Sequence, residues 1–375
     1  MVDLATKSLL HDKLRFLITV SGVAFAVTLV FVQVGLFLGL MDNASLTIEH
    51  LDADLWITSH NTANIDFSHT FSETYVKRVR STPGVARADN LIVWFMNVSL
   101  PNGAVEGTEV YALDDFGAWN FPWNITEGNV QDLRRGNYMI VDDSAKRRWG
   151  KFDVGEYREV LGRRLKIIGR SMNALSFTTT PLTFMDYRLA QSVSDSQLRG
   201  NTTYILVKLE KGADIEKVRN ELRQRLPYND VYTREEWASR SRNYWIQSTG
   251  LGLNMYLTVF LGCLVGIVVV AQTLYTSTME HIKEFGTVKA IGGGNADIYS
   301  ILAKQATIAA VAGFILGAAM SYALRPVIHK INLKLVIPTP LSIAVFIGSI
   351  VLCLAAAMIS FRKVASIDPA LVFRA

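Results

Sequence analysis

The chain has 375 residues, of which 38 are Lys or Arg and 33 are Asp or Glu, and half of it is apolar. That balance excludes a disordered or low-complexity chain. Four windows contain no charged residue: Phe16 to Met41, Asn243 to Met279, Gln305 to Leu324 and Leu335 to Phe361. Charge in the rest then reaches about 27%, ordinary for a soluble surface, so one chain is written for two solvents.

A bilayer core of about 30 Å takes roughly 20 helical residues. The sequence therefore predicts four membrane spans, at 16–41, 251–279, 305–324 and 341–361. The first is too long for the apolar core of a signal peptide and has no small-x-small cleavage site after it, so it reads as a retained anchor. Lys7, Lys13 and Arg15 precede it, which places the N-terminus in the cytoplasm. An even number of spans returns the C-terminus there. Residues 42–242 are then extracytoplasmic, 280–304 and 362–375 cytoplasmic, and the short loop 325–340 external, although Arg325, Lys330 and Lys334 in it run against the positive-inside rule.

The predicted fold class is thus membrane α-helical with a large extracytoplasmic α+β domain inserted between helices 1 and 2. In that domain 54–59 reads as a strand, 71–81 as a helix, and 91–100 with 105–113 as a hairpin across Pro101-Asn-Gly103. Near its end 203–209 reads as a strand, and Ile215, Val218, Leu222 and Leu226 give a helix over 214–226 before a strand at Val231. Two β-α-β units bracket the domain, and their open sheets are expected to pair as a sandwich. Short β-like runs at about 114–200 suggest an inserted lobe. Between the two lobes Phe116, Trp119, Phe121 and Trp123 lie in eight residues. Such a cluster reads first as local core and otherwise as a contact for a partner or cargo.

Charge inside the domain nearly cancels, at 26 basic and 27 acidic residues over 42–242. The basic excess sits at membrane flanks, which speaks against a nucleic-acid surface. Cys263 and Cys353 both fall in spans, so the domain has no disulfide. No P-loop, nucleophile-elbow, zincin or Cys-x-x-Cys motif occurs, and His60 and His69 have no metal-ligand spacing. The chain reads as neither an enzyme nor a metal or cofactor binder.

The spans contain no ionisable Asp, Glu, Lys, Arg or His. Ion-driven transporters keep such a group at membrane depth, so energy for any work must come from a partner. Gln33, Asn254 and Gln272 are expected to hydrogen-bond between helices. Three spans carry Gly-x-x-x-Gly, at Gly35 and Gly39, Gly262 and Gly266, and Gly313 and Gly317, which points to close helix packing within the chain or between two copies.

After the second span, Ile282, Phe285, Val288 and Ile291 keep helical spacing, Glu280, Lys283, Glu284 and Lys289 give mixed charge, and Gly292 to Gly294 ends the run. A short charged helix at the membrane face suits docking of a soluble partner. Glu280, Glu284, Phe285, Gly286, Lys289, Ala290, Ile291 and Gly292 resemble the signature before the third span of the FtsX/MacB-type ABC transporter permeases, with His281 where that family usually has Arg. Residues 1–15 resemble the family's amphipathic entry helix, 138–150 its strand-helix element, and 362–375 its basic tail with Pro369. The stretches 13–27 and 52–57 resemble most the DevC branch, permeases without a fused ATPase.

The resemblance implies a homodimer in the inner membrane. Separate ABC ATPase subunits carrying ATP and Mg would dock on the coupling helix, Glu280 to Gly292, and the spans would transmit their motion to the extracytoplasmic domain. It also implies a periplasmic adaptor, an outer-membrane channel, contact with membrane lipids and a lipid-like cargo. An alternative is an FtsX-like regulator that relays ATPase state to an external enzyme without transport. A four-span receptor fits the topology but leaves the coupling helix without a role.

Overall fold

The structure is a computed structural model and describes residues 13–365, apart from 179, 195–196, 281–293 and 332. The coupling-helix positions Lys283, Glu284, Phe285, Gly286, Lys289, Ala290, Ile291 and Gly292 lie outside the described residues, as do 1–12 and 366–375. The chain divides into two compact units: a membrane unit, up to Gly39 and from Gly252 onward, and a large domain, Leu40–Leu251.

Elements follow in chain order. The first helix, α1, is unbroken over Lys13–Asn43, and α2 covers Leu46–His50. The large domain continues with β1 (Leu55–Ser59), β2 (Phe71–Ser72), α3 (Tyr75–Arg80), β3 (Val85–Ser99) and β4 (Val105–Leu113). Next come β5 (Ile125–Glu127), β6 (Tyr138–Asp142), α4 (Lys146–Trp149), β7 (Tyr157–Val160), β8 (Arg163–Ser171), β9 (Leu182–Asp186) and α5 (Tyr187–Val193). It closes with β10 (Asn201–Thr202), β11 (Tyr204–Leu209), α6 (Ile215–Arg225), β12 (Asn229–Thr233) and α7 (Arg234–Ser248). The remaining long helices are α8 (Leu251–Glu280), α9 (Asn295–Lys330) and α10 (Thr339–Ala365).

Among the described residues, four helices are long and apolar enough to cross a membrane: Phe16–Asn43, Leu251–Thr276, Asn295–Lys330 and Thr339–Met358. The third runs well past its uncharged window. Asp297 starts it by accepting from the Gly294 amide at 2.8 Å, and it continues through Pro326, whose ring costs one backbone hydrogen bond, to Lys330. The segment first read as the external loop 325–340 is therefore helical over its opening residues.

The large domain differs from the expected pair of sheets. Its two β-α-β units interleave in one sheet: β12, β1, β11 and β3 are consecutive neighbours, every pair antiparallel. Each unit is a split β-α-β in which the other's strand fills the gap. Leu55, Ile57, Val76, Val79, Ile205, Val207, Val218, Leu222 and Val231 form the core between this sheet and helices α3 and α6. The segment around 114–200 extends the same sheet, from β4 to a parallel β9 and on through β6, β8 and β5. It shares a core with the bracket, since Trp56 and Tyr204 pack in one cluster with Ile140 and Phe184. Alternation along β3 explains how one sheet supports both faces: Leu91 and Val93 enter that cluster, whereas Ile92, Met96 and Val98 enter the opposite one under α5. Residues 71–81, expected as one helix, begin as β2 paired with β10, and the helix starts only at Tyr75.

Candidate functional site: the packed spans and the clamp between the domain's two ends

Small residues let the spans of the membrane unit approach. A methyl group on Gly266 would meet Ala26 at 2.9 Å, and one on Gly262 would meet Leu29 at 2.7 Å, so α8 lies against α1. On the other side, Gly313 faces Val23 at 2.5 Å and Gly317 faces the Ala24 carbonyl at 2.7 Å, so α9 lies against α1 as well. The Thr28 hydroxyl spans that contact, donating to Ala24 O at 2.7 Å and to Gly317 O at 3.2 Å. Gly35 faces Leu335 at 2.7 Å, Gly39 faces the Lys334 carbonyl, and the Val336 amide donates to Gly35 O at 3.1 Å. All six glycines of the three motifs thus face other parts of the same chain. The first span is the most enclosed, with 44% of its window buried against 22%, 28% and 22% for the others.

The expected polar contacts are placed differently. Asn254 and Gln272 lie on the exposed face of α8, and Asn254 is bonded by Thr258 of its own helix. They share that face with exposed Leu257, Leu261, Leu264 and Val268. The spacing over 254, 257, 261, 264 and 268 alternates three and four residues, the pattern of a helix-pairing seam.

In the large domain, the chain's way in and way out meet. After α1 the chain turns through Ala44 and Ser45 into α2, and it leaves along α7. Thr233 and Glu236 start α7 with a reciprocal capping box, the Thr233 hydroxyl accepting from the Glu236 amide at 3.2 Å and the carboxylate accepting from the Thr233 amide at 3.1 Å. Trp237, Ser241 and Trp245 then repeat at four-residue spacing and are buried. The Ser241 hydroxyl, fully buried, donates to Ala44 O at 2.7 Å. Arg242 Nη1 donates to Ser45 Oγ at 2.7 Å and to Glu49 Oε1 at 2.5 Å, and Ser45 Oγ donates to the same carboxylate at 2.9 Å. Arg240 ties the helix to the Thr62 carbonyl at 3.1 Å. Trp237 anchors it on the sheet, stacked on Tyr232 at 5.4 Å and tilted against Tyr204 at 5.9 Å. Beyond α7, Gly250 takes φ +71°, a left-handed conformation that a side chain would strain, and α8 begins at the next residue.

The aromatic connection lies beside this clamp and is mostly core. Phe116, Trp119 and Phe121 are buried, and a side chain without exposed surface cannot touch a partner, so contact is corrected to packing for these three. Trp119 Nε1 donates to Asp89 at 2.9 Å, while Arg80 and Arg87 also bind that carboxylate, at 2.7 and 2.6 Å. Trp123 is half-buried and stacks on His50 of α2 at 4.2 Å. His60 bonds to Asp230 at 3.0 Å.

Ser45, Glu49, Ser241, Arg242 and Trp237 are absent from the sequence-derived site. The Thr233-x-x-Glu236 cap and the four-residue spacing after it were enough to predict α7. The long-range pairing of α7 with α2 has no such local signal.

A four-span membrane protein with a mixed α/β domain between its first two spans is what these observations define. Residues 16–225 match the family described as MacB-like periplasmic core domain, and residues 256–369 match the FtsX-like permease C-terminal family. The chain belongs to the MacB/FtsX-type ABC transporter permeases. An ABC transporter permease of Mycobacterium tuberculosis is 23% identical over 390 residues, covering 100% of this chain and 99% of the relative. One from Methanocaldococcus jannaschii is 19% identical, covering 89% of this chain and 86% of the relative. A macrolide export ATP-binding/permease protein MacB of Psychrobacter arcticus is 22% identical over 251 residues, which are 63% of this chain and 37% of that one. Among solved structures, the periplasmic region of MacB from Actinobacillus actinomycetemcomitans matches with a TM-score of 0.40 at 10% identity, over 50% of this chain and 92% of the other. Membership of the family implies ATPase partner subunits.

Proposed function

We propose that the chain is the permease subunit of an ABC exporter in the inner membrane, both termini cytoplasmic, that passes ATP-driven motion of separate ATPase subunits to its large domain on the far side. The observation that carries this is the clamp: Ser241 on Ala44 and Arg242 on Ser45 and Glu49 hold the exit helix to the entry segment, so the domain takes up displacement from both ends of its chain together. The charge-free windows within the spans agree, since they hold no group for a proton or ion relay. ATP and Mg belong to the ATPase subunits, which dock on the segment from Glu280 to Gly292.

A homodimer forms through α8. Asn254 and Gln272 stand on its exposed apolar face, where an amide in hydrocarbon gains from a partner helix. In a Cys263→Ser, Cys353→Ser background, Leu261→Cys should crosslink two copies under oxidation; its failure to do so removes α8 as the seam. An apolar cleft of about 320 Å³ among α1, α8 and α10, lined by Val27, Val30, Cys263, Val345 and Cys353, supports a lipid-like or amphipathic cargo, handed on through an adaptor and an outer-membrane channel.

Reconstitution with the ATPase subunits tests the reading. Glu284→Lys should abolish stimulation of ATP hydrolysis while insertion into the membrane is unchanged. Unaltered stimulation removes that residue from coupling, and stimulation without cargo movement identifies a regulator of the FtsX kind.

A further inference from the structure

Two carboxyl groups are buried together under the exit helix. Asp66 lies in the connection between β1 and β2 with 3% of its surface exposed, and Glu109 on β4 has none. They are close enough to hydrogen-bond to one another. Asp66 Oδ2 and both oxygens of Glu109 meet no donor of the described residues in full hydrogen-bond geometry, although the Ser176 hydroxyl and the Tyr111 phenol approach Glu109.

Among the described residues, the groups around them bring no positive charge. From β4 comes the Tyr111 phenol and from β11 the Tyr204 phenol, both fully buried, and Tyr204 already donates to Ile65 O at 2.9 Å and Asn64 O at 3.2 Å. Ser176 reaches Glu109 from the connection before β9, and Thr47 of α2 reaches Tyr111. From α7 the Trp245 indole N–H points at Asp66 without full hydrogen-bond geometry. Of the cations of that helix, Arg240 is engaged on Thr62 O, Arg242 on Ser45 and Glu49, and Arg234 is exposed at its first residue. Trp245 also stacks on Phe177 at 3.9 Å and meets Phe67 at 5.6 Å, which closes an apolar lid over the pair. Two adjacent carboxylates in such a site cannot both ionise without a large cost.

We propose that Asp66 and Glu109 share a proton and form a pH-sensitive latch that holds the end of α7, through Trp245, against β4. With the proton in place, one carboxyl donates to the other and the lid packs on a compact unit. When the last proton leaves, two like charges without a counter-ion face each other in an apolar site, and relief comes from lifting Trp245 and admitting water.

Burial pushes Asp66 up to about 7, and burial together with the charge of Asp66 pushes Glu109 well above the carboxylate range, so Glu109 keeps the shared proton. Both folded-state values lie above the unfolded ones. Their contribution is therefore fully present below the unfolded values, about 4, and is lost as pH rises through the folded ones. The latch is closed in acid and opens in base. It goes beyond the exporter reading and is read without ATPase or cargo, so either can fail alone.

The full chain in lipid nanodiscs, followed by hydrogen exchange of amides 241–248 from about pH 5.5 to about pH 8.5, tests it. Protection factors, which remove the intrinsic pH dependence of exchange, should fall with pH and approach about tenfold per unit where a whole proton is released on opening. Glu109→Gln and Asp66→Asn should each flatten that slope. A flat wild-type profile, or the wild-type slope retained in both variants, overturns the proposal. If neither variant folds, infrared spectroscopy of the wild type decides: a protonated-carboxyl band should be present at about pH 6 and weaken as pH rises through about 7, where Asp66 gives up its proton, and its absence at the lower pH, or a band unchanged across that range, overturns the latch.

Discussion

The membrane unit and the large domain solve the packing problem in opposite ways. In the membrane unit, contact is made where side chains are missing: Gly266 against Ala26, Gly317 against the Ala24 carbonyl. In the large domain, contact is made by the largest side chains, with Trp56, Trp119 and Trp237 fully buried. The difference follows from the solvent. Lipid offers no hydrophobic reward for bringing two helices together, so close van der Waals approach has to supply it. Water rewards each buried ring by its area. The membrane unit should therefore be broken by adding atoms and the domain by removing them.

The largest effect is expected in the domain. Trp237→Ala removes the ring that stacks on Tyr232 and packs against Tyr204, and should lower the domain's stability by about 4 kcal/mol. Denaturant unfolding of the full chain in detergent, followed by proteolysis between 40 and 251, measures it. An effect below about 1 kcal/mol means that α7 is not anchored by this residue. The reverse substitution in the membrane unit comes next. Gly317→Ala places a methyl group 2.7 Å from a backbone carbonyl, which cannot swing aside, and should cost about 2 kcal/mol. Gly348→Ala, on α10 with open space around it, is the control and should be silent. Equal behaviour of the two variants in thermal aggregation assays would erase the contrast.

What the sequence revealed divides along the same line. The spans were legible because a bilayer forbids charge over about 20 residues, and a charge-free window needs no partner to be recognised. Glycine spacing marked close packing, but only the structure assigns Gly35 to Leu335 and Gly313 to Val23. Within the domain, local patterns announced β3, β4, β11 and α6. Their interleaving did not show, because inserting β1 between β12 and β11 is decided by residues about 150 apart, as in Ile57 opposite Ile205. The aromatic run from Phe116 to Trp123 was visible as a cluster, and burial of three of its members settles its role. The clamp stayed hidden for another reason. Ser45 and Arg242 are ordinary polar residues until the fold brings them to 2.7 Å.

Charge gives a contrast inside the domain. Asp143 is the counterpart of the buried pair. Hydrogen bonds from Arg170, at 2.7 Å to both oxygens, hold its carboxyl below the usual range, with Lys146 adding to the effect. Its contribution is present above the unfolded value of about 3.9 and is lost as pH falls through the lower folded one. Asp143→Asn should cost about 1 kcal/mol near neutrality, as for a partly exposed pair, and nothing in strong acid. This is opposite in sign to Glu109→Gln, which should stabilise at high pH. A pH-independent loss on Asp143→Asn would assign the residue to packing.

The smallest expected energy belongs to the clamp itself. Arg242 and Glu49 are about a third and nearly half exposed, so solvent screens them, and their coupling in a double-mutant cycle should be about 0.5 kcal/mol. Stability is therefore the wrong measure of what the pair does. If it joins the entry and exit helices during ATP hydrolysis, Arg242→Ala and Glu49→Ala should each uncouple hydrolysis from movement of the domain while unfolding is barely altered, and the double variant should be no worse than either single one. Additive losses would mean that each residue acts alone. Intact coupling in Arg242→Ala would leave the transmission to Ser241 and Ala44, whose buried 2.7 Å hydrogen bond is shielded from water. Ser241→Ala then decides between a polar clamp and one made by Trp237 and its aromatic neighbours, because it removes that bond and leaves the ring packing in place.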